Sequence, residues 1–273
     1  MDKNLEQWIC ENYNIDNPSE CNEEEATRVK EIDCKEKRIE TMEGLDKFKA
    51  LEFINLADNN IVDFDCSPFP NLRKLDCSLN PIESLNLSQN HLLEEISFYG
   101  FRSNRLPQID FSGNPHLKQI FGGQDEQKQI DLSNNPEIEK VTINLSSHLR
   151  QIQLTKCKKL SYISLWGVSV PYVDLTQNDN LEYVEINYLN TYVRKADVYG
   201  PGYPRPFIFV DENFNKEVIN KQDRDNEYYT YVLVPTAKDS KEEKVLQKLN
   251  NMQSIIELED VARFHYEIMG MLN

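Results

Sequence analysis

The sequence is short of most things that carry chemistry. It has nine glycines in 273 residues, and the pair Gly122-Gly123 stands alone, so no glycine-rich phosphate loop can be drawn. GxSxG and HExxH are missing too, which removes the usual serine-hydrolase and zinc-protease signatures. Six cysteines are present, at 10, 21, 34, 66, 77 and 157, but none forms a CxxC pair. Zinc is therefore not expected. No run of 18 apolar residues occurs, so no membrane-spanning helix is expected. The first residues, MDKNLEQWICENYN, show neither a basic n-region nor an apolar h-region, and no secretory signal is read. A reducing cytoplasm is the expected location. Basic residues are in deficit as well, 30 Lys and Arg against 46 Asp and Glu, for a net charge of −16. That balance argues against nucleic acid and anionic membranes as partners and favours a basic protein. The same charge could also serve only for solubility.

What is present is a repeat. Residues 72–90 read LRKLDCSLNPIESLNLSQN, in which the phrase apolar-x-apolar-x-x-Asn occurs twice. Its apolar pairs run through most of the chain. They are Ile32/Cys34, Ile54/Leu56, Phe64/Cys66, Leu75/Cys77, Leu85/Leu87, Ile96/Phe98 and Ile109/Phe111. After a weaker rung at Ile120 follow Ile130/Leu132, Val141/Ile143, Ile152/Leu154, Ile163/Leu165, Val173/Leu175 and Val184/Ile186. From Ile54 onward the spacing is mostly 10 or 11 residues, and two halves make a unit of about 21. A fixed period of this size predicts a solenoid, in which each coil buries its apolar edge against its neighbours. Apolar-x-apolar is the period of a strand, and ten residues leave no room for a helix with its turns. Both halves should be extended, with strands on two sides of the coil. The recurring Asn59, Asn80, Asn90, Asn114, Asn135 and Asn178 should form a buried ladder. An amide can satisfy both donors and acceptors of bare turn backbone.

The segments LEFINLADNNI (51–61) and LRKLDCSLNPI (72–82) resemble the leucine-rich-repeat segment LxxLxLxxNxL. The whole unit resembles the short bacterial leucine-rich repeats over roughly residues 29–190. The resemblance implies a curved, β-rich horseshoe whose strand face binds other proteins. It implies no catalytic residue, and neither an enzymatic activity nor a cofactor is expected. Residues 1–28 should be a helical N-terminal cap, with Leu5, Trp8 and Ile9 facing the first coil, and 191–273 a small α+β C-terminal cap or domain. Whether Cys10 and Cys21 pair stays open.

The two half-repeat series differ on their outward positions. The series through Phe64, Leu85, Ile109, Ile130, Ile152 and Val173 repeats short polar residues there, such as Asp65, Asp110, Ser133 and Thr176, and reads as scaffold. The series through Ile54, Leu75, Ile96, Val141, Ile163 and Val184 varies from coil to coil. Exposed aromatic residues on a rigid strand face are typical interface anchors. The candidate partner-binding residues are therefore Phe53, Asp76, Glu95, Tyr99, Phe121, Tyr162, Trp166, Tyr183, Glu185 and Tyr188. Two uses of the rings are open, docking of a partner and cover by the C-terminal segment of the same chain. The function read from this pattern is protein binding by a chain that is monomeric when unbound, with inhibition of a basic toxin or nuclease as its sharper form. The alternative is an effector or adhesin in which the repeats target an activity.

Overall fold

The computed structural model describes residues 1–100, 106, 108–123, 126–146, 148–188, 207–215, 218–219, 232–252 and 261–273. Packing divides the chain into two compact units, 1–126 with 134–138, and 127–133 with 139–273. Each is a stack of parallel strands.

In the first unit, helix α1 (Lys3–Tyr13) begins where the Asp2 side chain accepts from the Asn4 and Leu5 amides, and it ends at Asn14 in the left-handed conformation. Helix α2 (Glu23–Arg28) starts with a reciprocal capping box between Asn22 and Glu25. Leu5 and Ile9 are fully buried, while Trp8 is half-buried and meets Tyr13 edge-on. The Tyr13 hydroxyl accepts from the Glu31 amide (3.1 Å) and donates to the Glu31 carbonyl (2.9 Å). It thus satisfies both polar groups of a residue in the first strand, β1 (Glu31–Asp33), whose N-terminal side has no preceding coil to pair with.

The first series continues as β2 (Phe53–Asn55), β4 (Lys74–Asp76), β6 (Glu95–Ser97) and β7 (Gln119–Gly123), and the second supplies β3 (Asp63–Asp65) and β5 (Ser84–Asn86). Ile32, Ile54, Leu75, Ile96 and Ile120 pair in register along β1, β2, β4, β6 and β7, and Phe64 pairs with Leu85. The weak rung at Ile120 is thus a full member of the first series. Ile109 and Phe111 are buried but form no strand. Their coil is longer, since Asn90 and Asn114 stand 24 residues apart instead of 21. Gly122 is required here, because a Cβ at that position would fall inside the buried Phe98 ring.

The ladder asparagines are all buried. Asn59 donates to the carbonyls of Cys34 and Leu56 (2.8 Å each) and accepts from the Lys37 and Ile39 amides. Asn80 donates to Leu56 (2.8 Å) and Cys77 (3.1 Å) and accepts from the Ile61 amide (3.0 Å). Asn90, Asn114 and Asn135 each donate to two carbonyls of the coil before them.

The second unit contains β8 (Gln129–Asp131) paired with β10 (Gln151–Gln153), and a first-series sheet of β9 (Lys140–Asn144), β11 (Tyr162–Val168) and β13 (Tyr183–Tyr188). Asn178 donates to Leu154 and Cys157 carbonyls, and the Cys157 thiol points at the Leu132 carbonyl (3.6 Å) in the place of an asparagine. The regular spacing of the repeat is lost after residue 190, where the phrase comes back only as Ile208-x-Val210-x-x-Asn213, yet the stacking goes on. Strand β12 (Tyr172–Asp174) pairs with β14 (Phe207–Asp211), and β14 with β15 (Val232–Thr236), so that Val173, Ile208 and Leu233 lie in register. Ile219, 11 residues past Ile208, bridges to Val184. Helices α3 (Lys241–Asn250) and α4 (Val261–Leu272) close the unit through Val245, Leu246, Leu249, Phe264 and Ile268, packed with Tyr172, Phe207, Phe209 and Val234.

Candidate functional site

The outward residues of the scaffold series act locally, through one repeated device. The carboxylates of Asp65, Asp110, Asp131 and Asp174, and the amide oxygen of Asn86, each accept from the main-chain amide two residues on. Such turns lock the chain as it leaves the strand. Two donations from Ser112 hold the Asp110 carboxyl below its ordinary range. On the first series the same bond is made by Asn55 and by Asp76, whose carboxylate takes the Ser78 amide at 3.0 Å. Asp76 therefore performs a scaffold task at a place that sequence variability assigned to the partner.

The device stops where the first-series residue between the apolar pair becomes Ser97, Phe121, Thr142, Ser164 or Glu185. Along this series the strands lengthen, from three residues in β1, β2, β4 and β6 to five in β7 and β9, seven in β11 and six in β13. A longer strand carries a wider and more rigid outward surface. On it, Tyr162 and Tyr183 sit at paired register positions and stack, with centroids 4.5 Å apart and planes 6° from parallel. The Lys140 ammonium lies 4.5 Å from the Tyr162 centroid, a cation–π contact that the sequence did not single out. Glu185 accepts from the Ser164 hydroxyl (2.7 Å) and the Tyr183 hydroxyl (3.3 Å). Burial, and then the Glu185 charge, raises the pKa of Tyr162. Trp166 is half-buried on the same strand. It lies four residues from Tyr162, on the order of 13 Å along an extended chain.

In the first unit, Tyr99 and Phe121 make a separate pair with centroids 5.6 Å apart, and Phe121 is 40% exposed. Phe53 is half-buried at the start of β2. The acids beside these residues are neutralised from neighbouring coils. Glu52 faces Lys30 (3.3 Å), Glu94 is gripped by Arg73 (2.5 Å) and Lys118 (2.6 Å), and Glu95 by Lys74 (2.8 Å). The hydrogen bond from Lys118 and then that from Arg73 hold the Glu94 carboxyl below its ordinary range. Glu95 is thus engaged within the chain, and these acids locally form an ion-pair row. The Tyr188 side chain lies outside the described residues.

The C-terminal segment packs on the second series. The Tyr172 hydroxyl donates to Asn250 Oδ1 (2.9 Å), whose Nδ2 donates to Asp174 (2.9 Å). Burial raises the Tyr172 pKa and keeps that donor protonated. No described residues form a group able to hold a metal ion, and no described helix is long and apolar enough to cross a membrane. None of the six cysteines forms a disulfide.

Parallel strands in register and a buried asparagine ladder define a leucine-rich-repeat solenoid with helical caps. The chain matches no family model and no curated protein. Among solved structures it resembles internalin C2 of Listeria monocytogenes, with a TM-score of 0.53 at 14% identity over 86% of this chain and 93% of that one. It also matches Listeria internalin InlF, with a TM-score of 0.33 at 12% identity over 86% and 89% of the two chains. A Leptospira interrogans leucine-rich-repeat protein scores 0.37 at 13% identity over 59% and 56%. The likeness to internalin C2 is one of fold.

Proposed function

We propose that this chain is a non-catalytic protein-binding module, and that its partner docks on the strand face of β9, β11 and β13. The observation that carries the reading is the stacked Tyr162–Tyr183 pair. It is held on extended strands by Lys140 on one ring and Glu185 beside the other, while the helical C-terminal segment occupies the opposite series. Rings ordered before binding lose little entropy on contact, which favours tight association. The exposed Glu139 and Glu182 border the pair and support a basic partner, of which a cationic toxin held inactive is the sharper form. Thiols without disulfides in both units support work in a reducing compartment.

The test compares three proteins as capture baits in native lysate: wild type, a triple variant (Tyr162→Ala, Trp166→Ala, Tyr183→Ala), and a scaffold variant (Ser88→Ala, Ser112→Ala, Ser133→Ala). The expected result is a basic protein retained by wild type and by the scaffold variant and lost from the triple variant, which keeps its circular dichroism. Equal capture by all three would remove the strand face from the reading.

A further inference from the structure

One column of the strand face carries charge in a fixed order. It is the position just before each first-series strand, where the amides of Glu52, Arg73, Glu94 and Lys118 each donate to the carbonyl one coil back. In the first unit the column reads Lys30, Glu52, Arg73, Glu94, Lys118, so its sign alternates at every coil. The alternation is used for pairing. Lys30 meets Glu52 at 3.3 Å, and Glu94 lies between two cations, Arg73 at 2.5 Å and Lys118 at 2.6 Å. In the second unit the column reads Glu139, Ser161, Glu182, joined by the same main-chain bonds. Ser161 holds the place at which the alternation calls for a cation, and its hydroxyl donates to the Glu139 carbonyl (3.3 Å). Glu139 and Glu182 are exposed, and among the described residues neither forms an ion pair. Lys140, on the same face, is engaged with the Tyr162 ring.

We propose that a basic side chain of the docked protein, an arginine or a lysine, fills this rung, lying over Ser161 between Glu139 and Glu182. The inference rests on docking at β9, β11 and β13, and it fixes the place and the sign of one contact there. Glu139 and Glu182 stand two strand spacings apart, about 10 Å, so a cation midway meets both carboxylates. Glu94 meets Arg73 and Lys118 in the same way with the signs reversed. Two like charges left uncompensated on one face attract a cation from outside and repel an acidic partner, which gives the contact its specificity. The small Ser161 side chain leaves room for the incoming group. Tyr162 follows Ser161 and Tyr183 follows Glu182 in the chain, so one partner segment reaches the rung and the stacked rings together.

The test uses Ser161→Lys, which supplies the missing cation within the chain. At low salt it should raise Tm by about 1–3 °C, and the gain should vanish in a Glu139→Gln, Glu182→Gln background. Ser88→Lys adds the same charge on the second series and should show no such dependence. The same proteins are titrated by NMR at low ionic strength with N-acetyl-glycyl-arginyl-glycine amide, with its lysine counterpart and, as the neutral isostere, with its citrulline counterpart. The two cationic peptides should shift the Ser161 and Glu182 main-chain amides saturably, the tighter of them naming the partner's side chain, and the citrulline peptide should not. Ser161→Lys and the double glutamine variant should each weaken the cationic peptides about three- to tenfold, while Ser88→Lys binds them as wild type does. Equal shifts by the citrulline peptide, undiminished peptide binding by Ser161→Lys, or a Tm gain independent of the two glutamates would each overturn the rung. So would a Ser161→Lys bait that retains the basic partner of wild type with equal affinity. A wild-type bait that retains no basic protein removes the docking reading instead, and the peptide titration then judges the rung by itself.

Discussion

Replacing Asn80 with leucine removes the ladder's hydrogen bonds while keeping the branched shape of the side chain. The side chain is completely buried, and leucine's methyl groups are larger than the amide's oxygen and nitrogen, so some overpacking adds to the polar loss. What is lost is polar pairing. The Ile61 amide loses its acceptor at 3.0 Å, and the carbonyls of Leu56 and Cys77 lose donors at 2.8 and 3.1 Å. An amide stranded in the interior costs about 1–3 kcal/mol, and each weakened carbonyl about 0.5–1 kcal/mol. The sum is about 2–5 kcal/mol, or roughly 6–15 °C in Tm for a cooperative unit of this size. Asn90→Leu should cost less. Asn90 only donates, to Cys66 and Phe69, and its own oxygen is already unpartnered, so the substitution removes an unmet group along with two bonds. Urea unfolding followed by far-UV circular dichroism measures both, with the exposed Asn60→Ala expected within about 0.5 kcal/mol of wild type. The reasoning fails if Asn80→Leu melts with wild type, or if Asn90→Leu is the more damaging change.

Further outcomes are expected elsewhere. Gly122→Ala forces a methyl group into the Phe98 ring and should cost about 1–3 kcal/mol by the same unfolding assay. Because the Glu94 carboxyl titrates below its unfolded value, its stabilisation is present above the ordinary glutamate range and disappears as pH falls through the lowered folded value. Glu94→Gln should therefore flatten the acid limb of Tm against pH while leaving the basic limb unchanged. Burial pushes the thiols of Cys34 and Cys157 up to about 12 and raises those of Cys66 and Cys77. Native protein should thus react with Ellman's reagent at Cys10 and Cys21 and at the other four only on unfolding. Asn250→Ala withdraws a donor from the buried Asp174 and an acceptor from Tyr172. It should destabilise the second unit by about 1–3 kcal/mol, seen as faster proteolysis of the C-terminal helices.

Much of the fold was legible because a solenoid writes the same local problem repeatedly. Each coil needs two inward side chains and one amide at its turn, so the period, the strand register and the ladder places all stand in the sequence. The N-terminal helix was equally plain, with Leu5, Trp8 and Ile9 on one side. The candidate site was legible only as a list of variable positions. The sequence placed Asp76 and Glu95 with the rings, but Asp76 turns back on the Ser78 amide and Glu95 is paired with Lys74 one coil away. Lys140 went unnoticed as a ring partner because it is an ordinary polar position in its own coil.

By itself the sequence determined the periodicity, the inward residues and the absence of a familiar catalytic motif. These depend on spacing along the chain, which a one-dimensional pattern records. Only the tertiary structure decided which outward side chains meet across coils. It also showed that strands β14 and β15 prolong the second series after the regular spacing has ended, and that the C-terminal helices lie over Tyr172. The reason is that stacking requires only main-chain pairing and any apolar residue in register. FIFV at 207–210 meets that demand, and Asn213 even completes the phrase, but 35 residues separate Val173 from Ile208, so the period that made the earlier coils recognisable is interrupted.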